Sequence, residues 1–226
     1  MKNVDDLIES ATELAAQGFS KGEISDELNV SRETASWLVD RGGSTTASGR
    51  NDAGTAATGD TTTDLADIHV DWSAIGRDST RLSHVGSALA DLLASSDPDR
   101  EAEDIDLVIG IEKAGTPLAT TVALEIGADL GTYAPRKHQW EEGDIAEQKG
   151  GGISRNFADI RGRECYVIDD TITSGTTLAE TIEAIESEGG TPVAGAVLVD
   201  KQGVGELSGV PIHSLLQVLR VSREDA

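Results

Sequence analysis

The stretch CYVIDDTITSGTTL, residues 165–178, is the most informative part of this 226-residue chain. An apolar run leads into two adjacent carboxylates, Asp169 and Asp170, and a turn rich in hydroxyl groups precedes a helical pattern. Backbone N–H groups at a helix N-terminus bind phosphate, and Gly175 permits a close approach of the backbone. The carboxylates can accept hydrogen bonds from vicinal ribose hydroxyls or bind Mg²⁺. The spacing therefore predicts a site for a sugar phosphate.

Strand-like and helical patterns alternate on both sides of this stretch, over residues 65–226. A helical stripe runs from Leu82 to Leu93, and further short apolar runs alternate with helical segments. Such an alternation predicts an α/β fold, with a parallel sheet covered on both faces by helices. The predicted strands are 105–111, 130–134, 164–168, 192–199 and 212–219, and the predicted helices include 117–126 and 177–188.

The 165–178 stretch resembles the phosphoribosyl diphosphate (PRPP) motif of type I phosphoribosyltransferases, because Asp-Asp is followed in register by Thr-Ser-Gly-Thr-Thr. A second match follows the first predicted strand, where the family holds the diphosphate at the position of Lys113 and Gly115. A third match is Arg136-Lys137, which resembles the Arg-Lys pair of orotate phosphoribosyltransferases. The resemblance spans about residues 76–220 and implies the parallel sheet with flanking helices of that family.

The resemblance also implies a set of ligand contacts and a cofactor. The ligand is PRPP or a related phosphorylated metabolite, and Mg²⁺ is expected on Asp169 and Asp170 only together with that ligand. The expected ligand-binding residues are Lys113, Gly115, Arg136, Lys137, Asp169, Asp170, Thr173, Ser174, Gly175, Thr176 and Thr177.

The segment after Arg136 departs from the transferases. Orotate phosphoribosyltransferases continue as Arg-Lys-x-x-Lys-x-His-Gly, whereas this chain has Trp140 and Glu142 at the second Lys and the His positions. Loss of one preorganised group that stabilises developing charge costs about 10²–10³ in rate. We therefore expect a domain that binds its ligand and transfers poorly, with Lys137 as the catalytic candidate if transfer occurs.

Residues 1–41 carry a separate, wholly helical pattern. A first helix ends at Gly18, Ser20 and Glu23 form a capping box for a second, and Ser31 is a good N-cap for a third helix through about Arg41. Ile24, Leu28, Val30, Ala35 and Leu38 are the predicted core.

The segment 19–41 resembles a helix-turn-helix, in which the third helix enters the major groove of DNA. The candidate DNA contacts are Ser31, Arg32, Glu33, Thr34, Ser36 and Trp37. Residues 1–41 also hold nine acidic and four basic residues, which favours the alternative of a three-helix domain for dimerisation or protein contact. Phosphate contacts weaken steeply with salt, so a DNA-binding protein that works in molar salt need not be basic.

Residues 42–64 contain no aliphatic residue larger than Ala. Such a segment cannot bury enough surface to offset the entropy of ordering its chain. We predict a flexible linker between a helix-turn-helix domain at 1–41 and a ligand-binding domain at 65–226.

The composition restricts the cell environment and the class of protein. The chain has 18 Lys and Arg against 41 Asp and Glu, a net charge of −23 spread along its length. At about 1 M salt the Debye length is about 3 Å, so such a surface suits a halophile, although an acidic mesophilic protein is the alternative. A single cysteine, Cys165, excludes an internal disulfide. Without an apolar run of membrane-spanning length or a targeting pattern, we expect a cytoplasmic protein that does not bind membranes.

A helix-turn-helix fused to an orotate-phosphoribosyltransferase-like domain resembles the haloarchaeal GfcR-type transcriptional regulators. This resemblance implies a dimer that binds operator DNA and acts on genes of central sugar catabolism. An active orotate or purine phosphoribosyltransferase is the second hypothesis. A protein-interaction module with a relic pocket is the third.

Overall fold

A computed structural model describes residues 3–46, 68–98, 104–135, 151–154 and 156–219. The chain divides into two compact units, Met1–Asp71 and Trp72–Ala226. We call them the helical unit and the α/β unit.

The helical unit contains three described helices that share one apolar core. They are α1 (Val4–Ala16), α2 (Lys21–Glu27) and α3 (Arg32–Thr46). The five predicted core residues are all buried, together with Leu7 and Ala11 of α1. The predicted core of this unit is therefore confirmed.

Local signals at the helix ends also match the sequence. After α1, Gly18 has a φ of 92°, and the N–H of Phe19 donates to the carbonyl of Leu14, the bond that closes a glycine-terminated helix. At α2, the Ser20 hydroxyl accepts from the N–H of Glu23, and the Glu23 carboxylate accepts from the N–H of Ser20. The predicted capping box is confirmed.

Helix α3 continues to Thr46, past its predicted end near Arg41. Gly42, within this extension, is buried, and a Cβ there would lie 1.9 Å from the Thr12 hydroxyl oxygen of α1. The missing side chain lets α3 cross α1 closely. The rest of the predicted linker, 47–64, lies outside the described residues.

Residues 68–71, directly before the α/β unit, belong to the helical unit. The His69 Nδ1 donates to the carbonyl of Leu28 at the end of α2, over 2.5 Å. This contact explains why the division falls after Asp71 and not at the predicted residue 65.

The described part of the α/β unit contains four helices and seven strands. They are α4 (Ser73–Gly76), α5 (Ser79–Ser96), β1 (Leu107–Ile111), α6 (Gly115–Ile126), β2 (Asp129–Ala134), β3 (Gly152–Ile153), β4 (Glu164–Ile172), α7 (Thr176–Ser187), β5 (Thr191–Asp200), β6 (Glu206–Leu207) and β7 (Val210–Gln217).

The sheet has the order β3-β2-β1-β4-β5-β7-β6. The five longer strands run parallel, and the two-residue strands β3 and β6 pair antiparallel at the edges. From β1 the chain moves to β2 on one side, and from β4 it moves to β5 on the other. Right-handed crossovers in opposite directions place α6 and α7 on opposite faces. The predicted α/β fold, with helices on both faces, is confirmed.

Element boundaries differ from the predictions by a few residues. Strand β4 extends to Ile172, so the two carboxylates lie in the strand and not after it. Helix α6 begins at Gly115, which places Pro117 in its first turn rather than at its start; a first-turn proline loses no helical hydrogen bond.

Cys165 is fully buried in β4, and burial raises the pKa of its thiol to about 12. The thiol is therefore an inert core group at neutral pH. Among the described residues, no helix is both long and apolar enough to span a membrane.

His213 of β7 gives the α/β unit a pH dependence, since burial lowers its pKa from the ordinary 6.5. As the pH falls through 6.5, the unfolded chain therefore takes up a proton before the folded chain does. The contribution of His213 to the free energy of unfolding is present above that pH and is lost below it. We expect His213→Gln to remove this part of the pH dependence, whose slope is at most about 1.4 kcal/mol per pH unit. Urea unfolding between pH 5 and 8 in molar KCl measures it. Parallel curves for the two proteins would contradict the assignment.

Candidate ligand-binding site

The candidate site lies where the order of the strands reverses. Strands β1 and β4 are neighbours and parallel, and the connections that leave their carboxyl ends run in opposite directions. In open parallel sheets this arrangement leaves a crevice at the carboxyl edge, and ligands bind there. The predicted diphosphate loop follows β1, and the predicted phosphate turn follows β4, so both are brought to this edge.

The loop after β1 is packed against the first carboxylate. A Cβ on the buried Gly115 would lie 2.5 Å from the carbonyl oxygen of Ile168 and 2.9 Å from Cα of Asp169. Only a residue without a side chain allows this approach. The structure thus places Gly115 beside Asp169, while Lys113 is exposed in the same loop and joined to Glu112 by a cis peptide bond.

The two carboxylates have different environments. Asp169 is half-buried, and its Oδ1 accepts from the N–H of Asp170 over 2.9 Å. Asp170 is only 7% exposed. Burial raises the pKa of Asp170, and its hydrogen bonds oppose that rise.

The turn after β4 leads directly into the N-terminus of α7, with Gly175 as its N-cap residue. Gly175 adopts a φ of 75°, in the left-handed region that favours glycine, and its carbonyl accepts the N–H of Ala179. The hydroxyls of Ser174 and Thr176 lie 3.0 Å apart. The first N–H groups of a helix have no acceptor within it, and together with the helix dipole they attract an anion.

The sequence analysis did not identify two contacts at the candidate site. The Trp72 indole Nε1 donates to Oδ2 of Asp170 over 2.8 Å. The buried Thr132 of β2 donates its hydroxyl to Oε1 of Glu112 over 2.9 Å, which ties the diphosphate loop to the next strand. Both contacts join residues far apart in the chain, so no local pattern could reveal them.

Arg136 and Lys137 lie outside the described residues, as do Trp140 and Glu142. The chain on either side of 136–150 is described. Tyr133 pairs with Ile153 and Ala134 with Gly152, in the antiparallel pairing of β2 and β3.

No group of three or more metal-ligating side chains is present in the described part of the chain. Among the described residues, Asp169 and Asp170 supply the two adjacent carboxylates of the site, while the Glu112 carboxylate accepts the Thr132 hydroxyl. Magnesium typically takes one or two carboxylates and completes its coordination with phosphate oxygens and water. The donor set therefore fits Mg²⁺ that arrives with a phosphorylated ligand.

A cavity of about 480 Å³ lies away from the carboxyl ends of β1 and β4, around Ile160, Arg161 and Glu188. It is lined by the segment that precedes β4 and by the end of α7. None of the predicted ligand residues lines it.

The helical unit presents one face of α3 to solvent. Arg32, Glu33 and Trp37 are exposed, and the Arg41 guanidinium lies 5.1 Å from the centre of the Trp37 ring. Other predicted DNA contacts have partners inside the unit. The Ser31 hydroxyl accepts the N–H of Thr34, and the Ser36 hydroxyl accepts from Lys21 Nζ over 2.5 Å.

Comparison with known proteins agrees with this fold. A family model described as "Phosphoribosyl transferase domain" matches residues 71–208. Among solved structures, the orotate phosphoribosyltransferase of Aeropyrum pernix is 25% identical with a TM-score of 0.52, and the match covers 69% of this chain and 83% of that one. The adenine phosphoribosyltransferase of Thermoanaerobacter pseudethanolicus has the same TM-score at 19% identity, covers 68% and 89%, and shows the fold alone. The α/β unit is thus a phosphoribosyltransferase-type domain.

Whole-length relatives define the family more narrowly. The transcriptional regulator GfcR of Halorubrum lacusprofundi is 64% identical over 100% of both chains, and that of Haloarcula marismortui is 59% identical over 99% of both. At 41% identity, the protein of the same name from Methanocella arvoryzae covers 98% of this chain and 100% of its own. This chain belongs to the GfcR family of transcriptional regulators.

The close approach at Gly115 gives a test of the site's construction. We expect Gly115→Ala to destabilise the α/β unit by about 1–3 kcal/mol, because overpacking forces backbone shifts of that cost. It should also weaken binding of phosphorylated ligands, since the loop must move away from Asp169. Gly205→Ala is the matched control, because a Cβ at Gly205 has no atom within 4 Å. Urea unfolding in molar KCl measures both variants, and equal stability of the two would contradict the packing described.

Proposed function

We propose that this protein is a transcriptional regulator that binds operator DNA as a dimer and senses PRPP or a related phosphorylated metabolite. The helical unit contacts DNA, the α/β unit binds the ligand, and the targets are genes of central sugar catabolism. One observation carries the proposal. In a family of transcriptional regulators, three features meet at the carboxyl ends of β1 and β4: the Gly175 turn that opens α7, the loop that ends at Gly115, and the carboxylates of Asp169 and Asp170.

Each part of the site suits one part of such a ligand. The N-terminus of α7, with the hydroxyls of Ser174 and Thr176, receives a phosphate dianion. Asp169 and Asp170 accept hydrogen bonds from the vicinal hydroxyls of a pentose. The loop of Lys113 and Gly115 receives a diphosphate or second phosphate, where the exposed ammonium adds positive charge. The N-terminus of α7, the two carboxylates and the Lys113 loop would thus contact the 5-phosphate, the hydroxyls and the C1 substituent of the pentose, in that order.

Magnesium would be held by the carboxylates together with phosphate oxygens of the ligand. Its charge would offset the repulsion between a polyanionic ligand and two carboxylates. We therefore expect tighter binding of PRPP with Mg²⁺ than without it.

The exposed face of α3 is the proposed DNA surface. Arg32 lies at the N-terminus of this helix, where helix-turn-helix proteins contact base edges, and arginine pairs with guanine through two hydrogen bonds. The acidic balance of the unit would oppose binding in dilute buffer. In molar salt the Debye length is about 3 Å, so short-range contacts to bases outweigh the bulk charge.

Ligand control requires a differential effect on two states. A bound metabolite alters DNA binding only if it favours one arrangement of the protein over another. In a dimer, the two recognition helices must match half-sites about 34 Å apart. Ligand binding would therefore act by changing how the dimer presents its helices.

The ligand assignment predicts that Asp169→Asn weakens PRPP binding by about tenfold or more, because hydrogen bonds to charged groups contribute about 1.5–3 kcal/mol. The amide keeps the oxygen that accepts the N–H of Asp170, so the fold should persist. Titration calorimetry in 2 M KCl with Mg²⁺ measures the affinity. Asp159→Asn, exposed at the opposite edge of the sheet, is the matched control. Unchanged affinity in Asp169→Asn would remove the pocket assignment.

The DNA assignment predicts that Arg32→Ala abolishes operator occupancy while PRPP affinity stays within twofold. Chromatin immunoprecipitation of the tagged protein, at native salt and on two carbon sources, measures occupancy. Arg161→Ala removes an exposed arginine of the α/β unit and should keep the wild-type peaks. A flat wild-type profile would reject the regulator. Release of diphosphate from PRPP with orotate or a purine base would then favour a transferase.

A further inference from the structure

We propose that Trp72 is a positioning residue of the ligand site, which fixes the carboxylate of Asp170 so that the site selects ligands with vicinal hydroxyls. The inference rests on the proposed function, because it concerns the same site. It adds a residue that lies outside the sequence motifs and names what that residue selects. Trp72 and Asp170 both belong to the α/β unit, 98 positions apart in the chain.

The contact has the geometry of a strong hydrogen bond. The indole Nε1 lies 2.8 Å from Oδ2 of Asp170, and an indole N–H is a donor only. The Thr171 hydroxyl donates to the same oxygen over 3.3 Å. Two donors on Oδ2 fix the plane of the carboxylate and therefore its orientation relative to the crevice.

Trp72 is itself held by local structure. Its carbonyl accepts the N–H groups of Ile75 and Gly76 in the single turn of α4. A Cβ on Gly76 would lie 2.8 Å from the Trp72 ring, so the absent side chain lets the ring lie against the helix backbone. Arg81 of α5 donates to the carbonyl of Ala74, which fastens this turn to the next helix. These contacts hold the Trp72 indole in the position from which it donates to Asp170.

Burial makes the orientation of Asp170 important. The residue is 7% exposed, so solvent cannot compensate a carboxylate that loses a partner. A site built to hydrogen-bond a substrate hydroxyl rejects the analogue without it, because a buried polar group is then left unpaired. A fixed carboxylate therefore penalises a 2-deoxy sugar more than a carboxylate that can rotate to find another donor.

The test compares three probes with the full-length protein in 2 M KCl and Mg²⁺. Ribose 5-phosphate carries the phosphate and both hydroxyls, 2-deoxyribose 5-phosphate lacks one hydroxyl, and inorganic phosphate has neither sugar nor hydroxyls. Calorimetry gives the affinity of each probe for the wild type, for Trp72→Phe, which keeps a ring and loses the N–H, and for Trp37→Phe as the control in the helical unit.

We expect Trp72→Phe to bind ribose 5-phosphate about tenfold more weakly, in line with the loss of a hydrogen bond to a charged group. The ratio of its affinities for ribose 5-phosphate and 2-deoxyribose 5-phosphate should fall to about one, while its affinity for inorganic phosphate stays unchanged. Trp37→Phe should bind all three probes as the wild type does, because Trp37 belongs to the proposed DNA surface and not to the ligand site. An equal loss for all three probes, or no loss for any, would overturn the positioning role and leave Trp72 with a structural one.

A second measurement does not depend on the folding of Trp72→Phe. In the double variant W37F/W140F, Trp72 is the single tryptophan of the chain. We expect ribose 5-phosphate to change its emission and inorganic phosphate to leave it unchanged. Suppose that the double variant binds ribose 5-phosphate by calorimetry but its emission does not change. That result would overturn the role of Trp72 and leave the proposed ligand standing. A wild type that binds none of the three probes would overturn the proposed ligand and the inference with it.

Discussion

The approach of α6 to the β1–β4 seam is the contact on which the site depends. Two glycines make it possible. A Cβ on Gly110 of β1 would lie 2.7 Å from Cα of Thr116, and one on Gly115 would meet the backbone of β4. Because protein interiors are packed without spare volume, a methyl group at either position would displace the helix. The start of α6 and the carboxylates of β4 are neighbours only while both positions stay without side chains.

The parts of the structure that the sequence predicts are those whose signals are local. The Asp169-Asp170 pair, the Gly175 turn and the start of α7 lie within one short stretch, so residue types alone predict their roles. The capping box of Ser20 and Glu23 is equally local. The end of α3 was predicted too early because residues 42–64 carry no aliphatic residue larger than Ala, whereas Gly42 lies against Thr12 inside the helical unit.

Contacts between distant segments account for what the sequence could not show. The Trp72–Asp170 hydrogen bond depends on the tertiary fold, and a lone tryptophan before a helical pattern indicates packing more often than function. Strands β3 and β6 have two residues each, too few for an alternating pattern to appear. Trp72 is also the first residue of the α/β unit, so the chain enters this unit beside Asp170 of the candidate site.

The pairing of β2 with β3 has an evolutionary consequence. It holds Ala134 next to Gly152 through bonds between backbone atoms, which do not depend on the residues of the segment between them. Substitutions in that segment can therefore accumulate without loss of this strand pairing. The transferase motif departs from its usual form within this segment, at Trp140 and Glu142. In a fold so divided, the residues of that segment and the strand pairing on either side of it can change independently of each other.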